Sequence, residues 1–417
     1  MIVRAKVVVT MDGPPLENGA VAISGDRIVE VGKFSDIAKN HPREEIVDLG
    51  EQVLLPGLIN AHCHLDYTCL RGKIPRQKSF ADWIRAINAE KAKLLPEDYV
   101  ASINEGFAEA KHYGTTTIAN LTAFPELVSQ IQPPIRTWWF AELIDVRDAS
   151  RAHEVVDLAV STLKSAKHWG LAPHAPFTAS LNLFRRCEEI AREKNVLLTT
   201  HLAESREEML MFCDARGPLY DFLAEIGRDM SDCGDGTPAE KFLAEWVHQA
   251  DRPCLLAHLN EIVESDFELF SMSKAKFPVV HCPRSHDYFG HSPFQFQRLR
   301  ELGFNICLGT DSLASNEDLS LFAEMRAFRK EFSDVLSEQI LEMVTVNPAR
   351  ALRQDNALGK IRAGLVPDLI ALPIARATSV FEEIVEFDQA VNWSMLGGGG
   401  FWPDQAKFSK PLSFSQN

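Results

Sequence analysis

The sequence predicts an α/β protein that combines a (β/α)8 TIM barrel with a small β-sandwich built from both ends of the chain. Two observations lead to this prediction. From about residue 53, short apolar runs alternate with longer amphipathic segments, which is the pattern of βα units in a parallel sheet. Before and after that region, the chain has short alternating segments rich in β-branched residues, which are typical of strands.

The N-terminal part of the sandwich is predicted over residues 1–52. The segment IVRAKVVVT alternates and is β-branched, and GAVAISGDRIVEVG has the form strand, turn, strand around Gly25 and Asp26. After residue 352 the sequence is again strand-like, in GLVPDLIALPI. Residues 353–417 are therefore predicted to return to the N-terminal strands and complete the sandwich, with a tail.

The barrel is predicted over residues 53–352 from a series of eight apolar runs. They are VLLPGLIN (53–60), TTTIANL (115–121), RTWWFAEL (136–143), WGLAPH (169–174), VLLTTH (196–201), PCLLAH (253–258), FPVVHC (277–282) and FNICLGTD (304–311). Helical candidates such as SLNLFRRCEEIAREKN lie between them, with apolar residues at intervals of three and four. Eight βα units suggest a closed barrel. A doubly wound sheet is the alternative, but it normally has a glycine-rich phosphate turn after its first strand, and the sequence has none.

Composition and charge argue against several classes of function. Hydrophobic residues make up 46% and charged residues 24% of the 417 residues, which is ordinary for a soluble globular protein. The net charge of −15 argues against a general binder of nucleic acid or of anionic membranes. No apolar run reaches the roughly 20 residues that span a bilayer, and the N-terminus resembles a first strand and not a signal peptide. The eight cysteines form no C-x-x-C pair, so a reduced, cytoplasmic protein is expected.

Side chains that could carry chemistry stand at the carboxyl ends of the predicted strands, where barrel enzymes have their active sites. They are His62, His64, His174, His201, His258, His281 and Asp311. Each histidine alone could be a buried residue that bonds a backbone carbonyl. Their collection at one end of one barrel favours a functional site, because chance rarely produces such a collection.

His62 and His64 end the first run, in LLPGLINAHCHLD. Side chains repeat their direction every second residue in a strand, so these imidazoles point the same way and Cys63 points oppositely. A closed barrel places strand eight beside strand one, about 4.8 Å away, which brings Asp311 to them. His201 approaches from strand five across the mouth. Three imidazoles and a carboxylate, with a position left for water, suit one divalent metal ion, Zn²⁺ in preference to Fe²⁺.

Glu204 lies three residues past His201, in THLAES. It could be an ordinary acidic residue at a helix N-terminus. The functional alternative is a proton shuttle, in which the metal lowers the pKa of bound water from 15.7 towards about 7 and hydroxide attacks the substrate. Asp311 would take the proton of the water, and Glu204 would protonate a ring nitrogen of the substrate. His258 would stabilise the tetrahedral intermediate, from which an amine leaves.

The motifs PGLINAHCHLD, HAPFT, THLAES, LLAHLNE and LGTDSLASN, in this order, resemble the amidohydrolase superfamily. The closest resemblance is to mononuclear-metal deaminases and chlorohydrolases of nitrogen heterocycles. It implies four metal ligands and two further catalytic residues, namely His62, His64, His201 and Asp311, and Glu204 and His258. Dinuclear members carry a carboxylated lysine after strand four, whereas here that strand ends GLAPHAPF, which implies a single metal. Some chlorohydrolases lack the glutamate that Glu204 provides, so its presence favours deamination.

Six residues are predicted to contact the substrate: Arg71, Trp83, His174, His281, Arg284 and His286. Phe80 and Trp83 could stack on a flat ring or form the packing face of a helix. The loop HCPRSHDYFGHSPF carries Arg284, His286 and His291, which either bind substrate or line a polar loop. His286 stands where adenosine-type deaminases usually have asparagine. This loop and the tryptophan segment look more like the aminodeoxyfutalosine deaminases than the methylthioadenosine/adenosylhomocysteine deaminases.

The sequence therefore predicts a metal-dependent aminohydrolase that releases ammonia from an aminopurine-type heterocycle or nucleoside. The alternative within catalysis is a hydrolase that removes halide or alkylamine from a triazine-like ring. A non-catalytic scaffold barrel would require a lost ligand, and every predicted ligand is present in the sequence. The expected partner is a small heterocyclic substrate, with neither nucleic acid nor membrane, and a homodimer is left open.

Overall fold

The computed structural model describes residues 1–246, 254–273, 275–375 and 379–401. In these ranges the chain forms a nine-stranded parallel sheet and a separate, mixed eight-stranded sheet. The predicted α/β architecture, a barrel with an additional sheet from both chain ends, is confirmed. No helix in the same ranges is long and apolar enough to cross a membrane.

Strands dominate both ends of the chain, and strands alternate with helices between them. The strands are β1 (Ile2–Val8), β2 (Leu16–Ser24), β3 (Arg27–Lys33), β4 (Ile46–Asp48), β5 (Gln52–Pro56), β6 (Leu58–His64), β7 (Thr115–Thr122), β8 (Arg136–Leu143), β9 (Trp169–Pro173), β10 (Leu197–Leu202), β11 (Leu255–His258), β12 (Pro278–His281), β13 (Asn305–Leu308), β14 (Asp311–Ser312), β15 (Leu369–Pro373), β16 (Trp393–Leu396) and β17 (Gly399–Phe401). The α-helices are α1 (Phe34–Asn40), α2 (Phe80–Lys91), α3 (Pro96–His112), α4 (Ala152–Leu163), α5 (Leu181–Lys194), α6 (Arg206–Asp214), α7 (Pro218–Glu225), α8 (Pro238–Trp246), α9 (Glu264–Met272), α10 (Pro283–Phe289), α11 (Phe296–Glu301), α12 (Leu321–Glu331), α13 (Ser337–Glu342), α14 (Val346–Ala351) and α15 (Val380–Glu386). Short 3₁₀ helices span Leu65–Leu70, Pro125–Gln130 and Ala149–Arg151.

The eighth strand of the barrel is divided into β13 and β14, and both pieces are needed to close the sheet. β13 pairs with β12, whereas β14 pairs in parallel with β6, where Asp311 lies opposite Cys63. Between the two pieces, the amide of Thr310 donates a hydrogen bond to the carbonyl oxygen of His62 at 3.1 Å. The first and last barrel strands are therefore neighbours, and each predicted apolar run contributes a strand to the parallel sheet.

The first predicted run, 53–60, is shared between the two sheets. β5 belongs to the mixed sheet, where it pairs in parallel with β1 and antiparallel with β15. After one residue, Gly57, the chain enters β6 of the barrel. A Cβ atom on Gly57 would lie 2.2 Å from the side chain of Thr116, so the close approach of the two segments requires glycine. The mixed sheet thus extends to Pro56, past the limit of residue 52 predicted for its N-terminal part.

A register irregularity in β6 directs the histidine pair into the barrel. Ile59 and Ala61 belong to the apolar cluster that fills the barrel, together with aromatic rings of β8. Regular alternation from these residues would turn the following histidines outward. The pairing of β6 with β7 shifts between Asn60 and Cys63, and Cys63 packs in the outer core. Both the apolar pair and the histidine pair therefore face the interior.

We predict that replacing Gly170 of β9 with alanine lowers the free energy of unfolding by about 1–3 kcal/mol, because the barrel strands leave no room for the methyl group. Its Cβ atom would lie 2.4 Å from the Phe140 ring and 2.6 Å from the carbonyl oxygen of Leu197. Urea titration of the two proteins measures the change. The matched control is Gly32→Ala in β3, where the nearest atom, on Ile37, is 3.7 Å away. Equal stabilities of the two variants would contradict the close packing.

Candidate active site

Four predicted ligands from three separate strands converge at the mouth of the barrel. Nε2 of His64 lies 3.3 Å from Nε2 of His201, and the ring of His62 lies 5.0 Å from each of these two rings. Oδ1 of Asp311 lies 3.7 Å from Nε2 of His62 and 3.8 Å from Nε2 of His64. One nitrogen from each of the three histidines falls within 4.8 Å of the others. The structure thus brings together the side chains on which the predicted metal site depends.

The unpaired atoms of this cluster fit a divalent cation. All four side chains are buried. Among the described residues, neither nitrogen of His62 has a hydrogen-bond partner, and Nε2 of the neighbouring His258 has none. Buried polar atoms without partners are costly, and a cation between them would remove that cost. Three imidazole nitrogens and one carboxylate oxygen form a donor set suited to zinc or ferrous iron.

Hydrogen bonds fix the orientation of two of these side chains. Nδ1 of His201 donates to the carbonyl oxygen of His174 at 2.8 Å, which leaves Nε2 free on the side of the cluster. The hydroxyl of Ser285 donates to Oδ2 of Asp311 at 2.6 Å, and Ser315 lies 3.3 Å from the same oxygen. The other oxygen, Oδ1, is therefore the one that faces the imidazoles. Asp311 also has a φ of 55°, a conformation that aspartate tolerates better than most residues.

The surroundings favour the protonation states that bind a metal. Burial lowers the pKa of His64 well below its usual value, and burial lowers the pKa of His201 to about 4. Burial alone would raise the pKa of Asp311, but the neighbouring imidazoles, with His62 first, outweigh it and hold that pKa well below its usual range. At neutral pH these two imidazoles are therefore neutral and the carboxylate is ionised, as metal ligands must be.

Glu204 and His258 face each other beside the cluster. Oε1 of Glu204 lies 3.8 Å from Nε2 of His258, and the His258 ring is 5.3 Å from the His201 ring. Burial raises the pKa of Glu204 well above its usual value, and the charges of Asp311 and Glu208 raise it further. These surroundings favour the protonated form of the Glu204 carboxyl, which suits a proton donor. His258 has a φ of 73°, a strained conformation that is common at functional positions.

Two of the predicted substrate contacts, His174 and Trp83, are connected to the cluster by aromatic contacts. The His174 ring is 4.8 Å from the His201 ring and 5.6 Å from Phe177. Phe177 in turn contacts Phe80, which stacks on Trp83 at 5.9 Å in helix α2. Phe80 and Trp83 therefore belong to the packing face of a helix, and their stacking on a substrate ring stays a prediction.

The other four predicted substrate contacts lie outside the cluster. Arg71 is paired with Glu109, and Arg284 is paired with Asp318 at 2.6 Å. Both arginines, with His286, line a groove of about 1610 Å³ whose wall contains Ser315 but none of the four predicted metal ligands. His286 donates to the carbonyl oxygen of Ser292, and His281 is fully buried. Substrate binding by these four residues stays a prediction.

Sequence reasoning missed several residues that shape the site. Glu142, at the end of β8, places Oε1 3.6 Å from Nδ1 of His64. Glu208 accepts hydrogen bonds from the amides of Ala203 and Glu204, at 3.3 and 2.7 Å, and so holds the loop that carries Glu204. Glu142 could have been found, because it is the next-to-last residue of the apolar run RTWWFAEL and so stands near a strand end. Glu208 lies inside a helix and gives no such signal.

The amidohydrolase family profile matches residues 53–392. The chain belongs to the amidohydrolase family. A shorter match, over residues 19–43, is to the imidazolonepropionase-like composite domain of bacteria. The family predicted from the order of the motifs is thereby confirmed.

Named relatives and solved structures agree with this assignment. The 5-methylthioadenosine/S-adenosylhomocysteine deaminase of Pyrococcus abyssi is 29% identical over 380 residues, which cover 87% of this chain and 82% of the relative. Aminofutalosine deaminase of Helicobacter pylori, solved with methylthio-coformycin, superposes with a TM-score of 0.86 at 21% identity, over 96% of this chain and 99% of that one. The zinc complex of atrazine chlorohydrolase from Arthrobacter aurescens TC1 superposes with a TM-score of 0.79 at 18% identity, over 96% of this chain and 94% of that one. At these identities the two superpositions establish the shared fold.

We predict that His201→Ala removes most of the bound metal, because it deletes one of the three converging imidazoles. The measurement is the molar ratio of metal to purified protein by elemental analysis. His168→Ala is the matched control, because His168 is also partly buried but precedes β9 at the opposite end of the barrel, where it stacks on Trp138 at 4.1 Å. An unchanged metal ratio in His201→Ala would place the metal elsewhere.

Proposed function

We propose that the protein is a metal-dependent hydrolytic deaminase that releases ammonia from adenine-type nucleosides. The observation that carries this proposal is the meeting of two carboxyl groups at one imidazole cluster: Oε1 of Glu204 lies 3.8 Å from Nε2 of His258, and Oδ1 of Asp311 lies 3.7 Å from Nε2 of His62. Their surroundings raise the pKa of Glu204 and lower that of Asp311. A proton donor and a proton acceptor side by side suit the replacement of an amine by a hydroxyl group. The deaminases named among the relatives, which act on methylthioadenosine, adenosylhomocysteine and aminofutalosine, support the substrate class.

Four side chains would hold the metal: His62, His64, His201 and Asp311. When bound, a divalent cation supplies a Lewis acid that makes water reactive at neutral pH. The zinc complex of the chlorohydrolase with the same fold supports zinc, and ferrous iron is the alternative for the same donors.

The protein residues move the protons of the reaction. Asp311 accepts a proton from the attacking water, because its carboxylate is ionised and faces the cluster. Glu204 donates its proton to the ring nitrogen next to the carbon under attack, which makes that carbon more electrophilic. His258 donates a hydrogen bond to the attacking oxygen and so stabilises the tetrahedral intermediate. The proton held by Asp311 then passes to the amino group, which leaves as ammonia. The new hydroxyl group returns its proton to Glu204 and becomes the carbonyl of the product.

The substrate would lie against His174 and Trp83, since these predicted contacts are the ones connected to the cluster. Aromatic and imidazole rings stack well on a flat base. Arg71, His281, Arg284 and His286 stay predicted substrate contacts. Both arginines are already neutralised by acidic partners. A carboxyl group on a substrate would have to compete with those partners.

Two wider properties are proposed with this function. The eight cysteines are free thiols, which supports a reducing, cytoplasmic location. A homodimer, left open by the sequence, stays a prediction. Neither property changes the assignment of the reaction.

The substrate class can be tested with a panel of adenosine, methylthioadenosine, adenosylhomocysteine, aminofutalosine and atrazine. We expect ammonia release from at least one nucleoside and no release of chloride from atrazine. Coupled ammonia and chloride assays on the zinc-loaded protein distinguish deamination from the removal of halide. Turnover of atrazine alone would identify a halide hydrolase. A well-folded protein that binds no metal would instead be a non-catalytic barrel.

We predict that Glu204→Gln keeps the metal but lowers kcat by about 10²–10⁴-fold, because glutamine preserves the shape of the side chain and removes the acidic proton. Metal content and the rate of ammonia release are measured on the same preparation. The comparison with His201→Ala separates a proton carrier from a ligand. Full activity of Glu204→Gln would contradict the assigned role.

A further inference from the structure

A buried carboxyl group at the end of β8 has no part in the reaction described above. The side chain of Glu142 is 6% exposed, and its Oε1 has no hydrogen-bond partner among the described residues. An unpaired buried carboxyl group is costly to the folded protein, so its retention at the barrel mouth calls for a function.

The two nitrogens of His64 face different groups. Nε2 lies 3.3 Å from Nε2 of His201 and 3.8 Å from Oδ1 of Asp311, so it belongs to the metal cluster. Nδ1 lies on the other side of the ring, 3.6 Å from Oε1 of Glu142. His201 has the same arrangement, with the carbonyl oxygen of His174 as the acceptor for Nδ1. Glu142 therefore stands where an acceptor for His64 is required.

We propose that Glu142 is a positioning residue that accepts a hydrogen bond from Nδ1–H of His64 and so fixes the ring and tautomer in which Nε2 is free to bind the cation. This inference rests on the metal site of the proposed function. Partners of this kind typically change metal affinity by about 10–100-fold when they are removed. The group that holds the proton on Nδ1 also prevents that nitrogen from competing for the metal.

A second arrangement, in which Glu142 itself binds a cation, conflicts with the hydrogen bonds of the site. Glu142, His174 and His201 do offer atoms within 4.8 Å of one another. However, Nδ1 of His201 donates to the carbonyl oxygen of His174, which leaves one nitrogen for a metal. That nitrogen, Nε2, is the one beside His64. It cannot bind two cations at once, so the structure favours Glu142 as the acceptor for His64.

The test is the zinc affinity of the metal-free full-length protein, measured by competition with a chromophoric chelator and without substrate. We expect the Kd for zinc to rise about 10–100-fold in Glu142→Leu. It should rise less in Glu142→Gln, because the amide oxygen still accepts a hydrogen bond. Circular dichroism of each variant checks folding, and the glutamine variant serves if the leucine variant does not fold.

Glu324→Gln is the matched control. Glu324 is a buried carboxyl group of the barrel region as well, with its side chain fully buried. It accepts hydrogen bonds from the backbone amide of Arg284 and the side chain of Asn316, and none of its described partners is an imidazole. Its zinc Kd should equal that of the unaltered protein. If the loss of any buried carboxyl group weakened zinc binding, both variants would show equally raised Kd values. That result would overturn the proposal.

Two further outcomes separate this inference from the proposed function. An unchanged zinc Kd in Glu142→Leu, with a raised KM for the nucleoside, would make Glu142 a substrate contact and overturn its positioning role alone. Failure of the unaltered protein to bind zinc or ferrous iron would overturn the proposed function and the positioning role with it.

Discussion

The closure of the barrel between its eighth and first strands is the constraint on which the candidate site depends. β14 consists of two residues, and it adds only Asp311 and Ser312 to the edge of β6. A buried hydrogen bond from Asn60 to Thr310, at 2.8 Å, reinforces this pairing between positions 250 residues apart. Without closure, the carboxylate would lie away from the imidazoles and remain solvated. The strand pairing that closes the sheet therefore also completes the candidate metal site.

Neighbouring charges shift the pKa values of two carboxyl groups at the same mouth in opposite directions. Burial favours the neutral form of both Glu204 and Asp311, and the charges of Asp311 and Glu208 raise the pKa of Glu204 further. The imidazoles around Asp311, with His62 first, outweigh burial and hold its pKa well below the usual range. Paired groups whose pKa values are driven apart can act as acid and base at one pH. The closed barrel therefore holds both groups in surroundings that suit the reaction that we propose.

The loop after β10 connects Glu204, the proton donor that we propose, to the aromatic residues of helix α2. Glu204 lies in this loop, and three residues later Glu207 accepts hydrogen bonds from the amides of Phe80 and Ala81, at 2.8 and 3.0 Å. These amides begin helix α2, which carries Trp83, and a carboxylate at a helix N-terminus is favourable. These aromatic residues and the donor are thus held by one short segment. Because proteins with the same fold act on nucleosides and on atrazine, such residues, and not the barrel itself, are expected to select the substrate.

The sequence by itself determined the barrel, the order of its strands and the convergence of the histidines with Asp311. These features follow from local periodicity and from the rule that parallel strands end at one edge of a sheet. Only the tertiary structure decided which side chains are neutralised, unpaired or protonated. The pairing of Arg71 with Glu109 and the approach of Glu142 to His64 join segments far apart in the chain. The register irregularity in β6 and the pKa shifts likewise arise from packing and burial, which no local pattern of residues encodes.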